Sequence, residues 1–231
     1  MPIYQLRPEF DVLLREVLLI VGALFPIVNP MGSAPIFLTL TRDLSSATRT
    51  MLSGRIAMNG FILLIVSLFI GTHILAFFGI SLPVIQVGGG MVVIATGWSL
   101  LTHAADEETI HKRKTSTADA SNRAFYPLTL PLTVGPGSIS VAITLGANRP
   151  QGRAISVPAL AGACIGAALI AISIYLSYRF AERIARALGE TAMNVILRLS
   201  SFILVCIGVQ IVWNGVSALL RSVLAARIPP L

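Results

Sequence analysis

Two ten-residue stretches carry the residue types that could bind a small polar solute. Pro26, Pro30 and Pro35 enclose Asn29, Gly32 and Ser33, and Pro127, Pro131 and Pro136 enclose Thr133 and Gly135, with Gly137 and Ser138 directly after. The two proline triplets share one spacing, 101 residues apart. A proline removes one backbone donor and crowds the carbonyl a turn earlier. The residue before it avoids helical angles, so Asn29 is expected to be extended. Three such residues in ten should unwind a helix and free amides and carbonyls. Helix N-termini favour a carboxylate, and freed carbonyls favour an ammonium or Na⁺. The predicted substrate-binding residues are therefore Asn29, Pro30, Gly32, Ser33, Pro35, Pro131, Thr133, Gly135, Pro136, Gly137 and Ser138.

Other chemistries find less to work with. Ser138 lies among glycines, but His73 is the only base within the apolar runs and no carboxylate would orient it; no catalytic residue is assigned and the chain is read as not an enzyme. Cys164 and Cys206 have no second ligand at metal spacing and read as small buried hydrophobes. No metal set, phosphate loop or cofactor is implied. Asn59, Gln86, Gln210 and Asn214 read first as interhelical hydrogen-bonding groups, and Arg198 as an interfacial charge. Gln86 and Arg198 are also carried as candidates for ion coupling. The spans are read as lacking Asp and Glu, so coupling would use Na⁺ held by carbonyls, H⁺ by some other device, or the substrate gradient alone.

These stretches sit in an oily chain. Apolar residues make up 55% and charged residues 12% of 231, with a mean hydropathy of +0.83, against ~25% charged in soluble domains. The net charge of +7 reflects arginines in loops facing anionic lipid rather than nucleic-acid binding. The acidic and basic first residues, followed by an apolar run containing Asn29-Pro30, are unlike a cleaved leader. Six apolar runs long enough to span follow, near 14–41, 56–78, 80–102, 124–147, 155–178 and 194–220. Loops are expected at 42–55, at a tight turn near Gly79 and Ser81, and at 103–123, a mixed-charge linker expected to be mobile. Residues 179–193 read as an amphipathic extension, with Phe180, Ile184 and Leu188 at helical spacing.

The predicted fold is an all-α polytopic membrane protein: residues 1–102 form one three-helix repeat, 103–123 a polar cytoplasmic linker and 124–231 a second repeat. Three spans per repeat invert the second copy in the bilayer. Spans one and four are broken by Pro and Gly. In spans three and six, Gln86-Val87-Gly88-Gly89 is set against Arg198-Leu199-Ser200-Ser201 as small-residue packing stretches. Of the seventeen Lys and Arg, eleven fall on the 42–55, 103–123 and 179–198 side. Both tails are therefore expected outside.

The stretch Asn29-Pro30-Met31-Gly32-Ser33-Ala34-Pro35-Ile36-Phe37 resembles the N-P-x-G-x-x-P-x-F signature of the MarC family of bacterial inner-membrane proteins. Gly135-Pro136-Gly137-Ser138-Ile139 and Gly88-Gly89-Gly90 resemble that family too, and the likeness runs from about 13 to 220. The resemblance implies six spans, both termini in the periplasm, and a place among small neutral amino acid transporters, within a superfamily of amino acid and cation exporters. Here Gln86 stands where an arginine or similar group is common, and Ser201 where a glycine is. The expected function is secondary transport of small neutral amino acids or related metabolites. The partners implied are the bilayer and a small polar or zwitterionic substrate, with a homo-oligomer open. The alternative is a non-transporting membrane protein that assists envelope assembly or the stress response.

Overall fold

The computed structural model describes residues 6–102, 124–148 and 156–227, and every regular element among them is helical. Helices α1 (Leu6–Val28) and α2 (Pro30–Leu40) meet at Asn29. Helix α3 spans Ser46–Phe77 and α4 Leu82–Thr102. A wide, π-type segment, α5 (Ala124–Thr133), leads into α6 (Pro136–Ala147). Helix α7 runs Val157–Arg179 and α8 Ala181–Arg227. The 103–123 linker and the loop arginines Arg149 and Arg153 lie outside the described residues.

Helices α3, α4 and α7 and residues Asn194–Leu224 of α8 are long and apolar enough to cross a membrane, and α5 with α6, bent by 68°, would make a fifth if the pair is one span. The expected first span is not among them. Its residues are divided between α1, whose last 18 residues still include Asp11, Arg15 and Glu16, and the eleven-residue α2. Glu16 also corrects the expectation of carboxylate-free spans. It lies half-buried in α1 beside Gly162 of α7, where an added Cβ would come within 2.8 Å of the Glu16 Cβ.

Helix ends follow local chemistry. Ser45 caps α3, its hydroxyl accepting from the Thr48 amide at 3.2 Å. The helix thus begins ten residues before the predicted span, and Arg49 and Arg55 lie on it. Hydropathy marks where oil begins, not where the helix begins; 32 residues extend ~48 Å, longer than the ~30 Å of hydrocarbon. The turn at Gly79 is as expected. Gly79 has φ 66°, and the Ile80 amide donates to the Leu75 carbonyl at 2.9 Å, closing α3 with a glycine in the left-handed conformation. The 181–188 extension is helical and leaves the spanning part of α8 at Gly189, φ 73°. Arg49 and Glu182, 3.2 Å apart, join the starts of α3 and α8.

Burial follows the helical period, but the exposed face is as apolar as the buried one, unlike that of a soluble protein. On α3 the buried positions include Ile56, Gly60, Leu64 and Gly71, while Met58, Ile62 and Ile70 are exposed and equally apolar. The main core joins Ile20 and Leu24 of α1, Phe37 of α2, Leu64 of α3 and Ile170 and Ile174 of α7. Helix α1 packs along α7, α3 against α7 and α6, and α2 against α7 and α8. Helix α4 touches mainly α8 and α6, and its core with α8 (Val93, Leu204, Ile211) is separate.

The α4–α8 crossing is reciprocal. A Cβ added to Gly90 would come within 2.9 Å of the Gly208 carbonyl, and one added to Gly208 within 2.9 Å of the Gly90 carbonyl. Gly97 faces Ser201 O and Val205, as Gly215 faces Pro83 O and Val87. Each of these residues in α4 corresponds to one 118 positions later in α8. That register replaces the expected alignment of Gln86–Gly89 with Arg198–Ser201. Of the expected triple-glycine face, Gly89 and Gly90 make close contacts, whereas Gly88 has nothing within 4 Å of an added Cβ.

Candidate functional site

The two breaks differ in construction. The first stretch breaks at a single residue. Asn29 donates its amide to Phe25 O at 2.9 Å, ending α1, and accepts from Ser33 N at 3.0 Å, starting α2. Its backbone is left-handed (φ 45°, ψ 59°), not extended. Asparagine tolerates that region, and its Oδ1 accepts from the Gly32 amide at 3.1 Å, capping α2. The expected unwinding through Pro35 is confined to Asn29: Pro30 takes the first helical position, where its missing N–H costs nothing, and Pro35 is inside α2.

The second stretch is distorted over a greater length. Tyr126 (φ −123°, ψ 125°) and Leu130 (φ −114°, ψ 122°), each preceding a proline, are extended as that position demands. Both X-Pro bonds there are cis. Threonines take over carbonyls of α5: Thr129 Oγ1 donates to Ala124 O and Thr133 Oγ1 to Leu128 O, both at 2.6 Å. Helix α6 then starts from Gly135, which has no side chain to cap it, with Pro136 in the first turn. Pro30 and Pro136 therefore hold the same helical position, 106 residues apart, and the 101-residue proline register pairs residues in unlike positions.

The breaks meet. A cavity of about 60 Å³ is lined by Asn29 and Ser33 from the first break and by Pro131, Thr133, Gly135, Pro136, Gly137 and Ser138 from the second. Its opposite wall is α4 (Val92, Val93, Thr96, Leu100) with Leu204 of α8, and Ile27, Val28 and Leu132 complete it. Of the predicted site residues, Pro30, Gly32 and Pro35 do not line it. Neither do the coupling candidates. Gln86 donates to Thr144 Oγ1 of α6 at 3.3 Å, and Arg198 is exposed on α8. Asn59 donates to Thr129 Oγ1 at 3.4 Å, an interhelical bond of the expected kind.

The cavity is electrically polarised without carrying a charge among its lining residues. The N-termini of α2 and α6 both open on it, and each contributes partial positive charge. The C-terminus of α1, at Ile27 and Val28, opens on it with the opposite sign. Pro30 and Pro136 cannot donate to the carbonyls of Pro26 and Leu132, four residues before them.

Sequence reasoning overlooked Tyr178. It is 2% exposed, its hydroxyl lies 2.7 Å from Thr133 Oγ1, and the Ser33 side chain is a second partner. Its ring stacks on Phe37 with centroids 4.5 Å apart. Tyr178 thus ties the first turn of α2 to the last residue of α5, behind the cavity. Two polar aromatics, Tyr175 and Tyr178, near the end of a largely aliphatic run were the available signal. The apolar wall from α4 and α8 left none.

Residues 14–220 match the family described as MarC family integral membrane protein. The chain is 32% identical to the UPF0056 membrane protein YhcE of Escherichia coli K12 over 202 residues, covering 87% of this chain and 92% of that protein. It is 30% identical to a UPF0056 membrane protein of Archaeoglobus fulgidus, covering 86% and 91%. It is also 30% identical to the UPF0056 inner membrane protein MarC of Citrobacter koseri, covering 86% and 93%. No solved structure matches it.

Proposed function

The chain belongs to the MarC family of integral membrane proteins, and from that premise we propose that it is a secondary transporter of small neutral amino acids or related small metabolites, not an enzyme, in the bacterial inner membrane. The observation that carries the reading is the convergence of two helix breaks on one cavity. Broken helices at a repeat interface are the usual construction of a carrier's central site. A water needs roughly 10–15 Å³ of such space, so about 60 Å³ suits a solute of a few heavy atoms. Partial positive charge from two N-termini suits its carboxylate, and the α1 carbonyl end suits its ammonium.

The same reading makes α1 and α2 one broken span, for six in all. Residues 17–41 carry no charge and would reach ~37 Å as helix, enough to cross ~30 Å of hydrocarbon. Two inverted three-helix repeats follow from that count. The reciprocal α4–α8 contacts support them, as does the exchange of partners: α2 packs on α8 and α7 where α6 packs on α4 and α3. The Lys and Arg excess on the 42–55 side supports a periplasmic side for both termini.

The test is uptake or counterflow in proteoliposomes with a labelled panel of small neutral amino acids, under imposed Na⁺ or H⁺ gradients. Saturable flux of at least one member, absent from empty liposomes, is expected. A panel that moves no faster than in empty liposomes under any gradient refutes the reading.

A further inference from the structure

We propose that the cavity holds a carboxylate at one fixed place, the N-terminus of α6, with the Ser138 hydroxyl and the Gly137 and Ser138 amides as its donors. The claim deepens the carrier reading and rests on it for the solute, while the anion subsite itself stands on the uncapped start of α6 and on the Ser138 hydroxyl.

The two helix starts at the cavity are not equivalent. Helix α2 is capped by its own chain, because Asn29 Oδ1 takes the Gly32 amide. Helix α6 has no side-chain cap. Gly137 and Ser138 are both buried, and among the described residues no acceptor reaches their amides. Buried amides are rarely left without a partner. The protein cannot supply one from position 135, since a Cβ there would lie 2.9 Å from the Pro131 carbonyl.

A second observation points to a ligand. Ser138 is only 2% exposed and lines the cavity, yet its hydroxyl has no hydrogen-bond partner among the described residues. Four other buried serines are satisfied, and Ser177, which shares the lack of a partner among the described residues, does not line the cavity. Ser53, Ser67 and Ser201 donate to Arg49 O, Leu63 O and Leu197 O of their own helices, and Ser140, two residues on, donates to Ile85 O at 3.0 Å. Three unpaired donors at one helix start form a site for a small oxyanion. The cavity volume and the apolar wall of Val93 and Leu100 select a carboxylate on a short carbon chain over a larger, more highly charged group.

The experiment uses the full-length protein purified in detergent, titrated calorimetrically with L-alanine, propionate, L-alaninamide and inorganic phosphate. L-Alanine and propionate should bind and L-alaninamide should not. Ser138→Ala should weaken both acids by roughly 10- to 100-fold, the value of a hydrogen bond to a charged group. Ser138→Thr should retain most of the affinity, and Ser140→Ala should bind as the parent does. Melting temperature and elution profile report whether each variant folds. The assignment is overturned if neither acid binds, if L-alaninamide matches L-alanine, if Ser138→Ala binds both acids normally, or if phosphate binds more tightly than either acid. Ser138-dependent binding without flux in proteoliposomes would keep the subsite and remove the carrier. L-Alanine flux unchanged by Ser138→Ala would do the reverse.

Discussion

Replacing Tyr178 by Phe isolates the hydroxyl that joins the two helix breaks. The ring and its stacking on Phe37, at 4.5 Å, remain. What goes is the 2.7 Å bond with Thr133 and the contact with Ser33. Thr133 still donates to Leu128 O at 2.6 Å, so its proton is not stranded. Interhelical side-chain bonds in membranes average ~0.6 kcal/mol and reach ~1.7, which makes the expected loss about 1–3 kcal/mol for the pair of contacts. Tyr178→Ala, which also empties a buried ring site, should cost ~3–5 kcal/mol. Reversible unfolding in mixed micelles, titrated with dodecyl sulfate, measures each. A double-mutant cycle of Tyr178→Phe with Thr133→Val should return a coupling of about 0.6–1.7 kcal/mol. A coupling indistinguishable from zero would show that Tyr178 fills space without fastening α5 to α7, and the account of how the breaks are held together would fall.

Asn29→Ala should lose both the cap, worth ~1 kcal/mol, and the tolerance of a left-handed backbone, worth ~1–2 kcal/mol. Asn29→Gly keeps the second, so melting temperatures should fall in the order parent, Gly, Ala; equal values would deny Asn29 its cap role. Gly90→Ala meets backbone across the α4–α8 crossing and should lower the melting temperature. Gly88→Ala meets nothing and should hold or raise it, since helix propensity favours Ala over Gly by up to ~1 kcal/mol; the opposite ranking contradicts the packing. In a background without Cys164 and Cys206, an impermeant maleimide applied to intact spheroplasts should label Ser156→Cys and spare Ser45→Cys. Labelling of Ser45→Cys alone inverts the topology.

What the sequence shows plainly here is chemistry that punctuates: both proline-rich stretches interrupt their helices and a tight turn falls at Gly79, whereas the helix starts at Pro30 and Pro136 and the meeting of the two stretches at one cavity are visible only in the fold. What it hides is anything that depends on which apolar face is inside. Ile56 and Met58 are alike to a hydropathy scale, though one is buried and the other faces outward. The cavity wall from Val93, Thr96 and Leu100 was invisible for that reason. The proline spacing misled about register because proline is tolerated in several helical settings, and only the cap position distinguishes Pro30 and Pro136 from the rest. Asn29 departed from the pre-proline rule because its side chain offered the backbone a partner in the left-handed conformation. Gln86 stood out as polar, but its partner on α6 was 58 residues away and unreadable from spacing.

The glycine seam of α4 and α8 also limits how the cavity wall can move. Gly90 with Gly208, Gly97 with Ser201 and Gly215 with Pro83 keep the two backbones close from residue 83 to residue 97 of α4, about 21 Å at 1.5 Å per residue. Contact over that length leaves no single pivot, and a tilt of one helix on the other would drive backbone into backbone at one end of the seam. Val92, Val93 and Thr96 of the cavity wall lie within it. A widening of the cavity would then carry the pair as one body, or fall to α6 and the two breaks that face it.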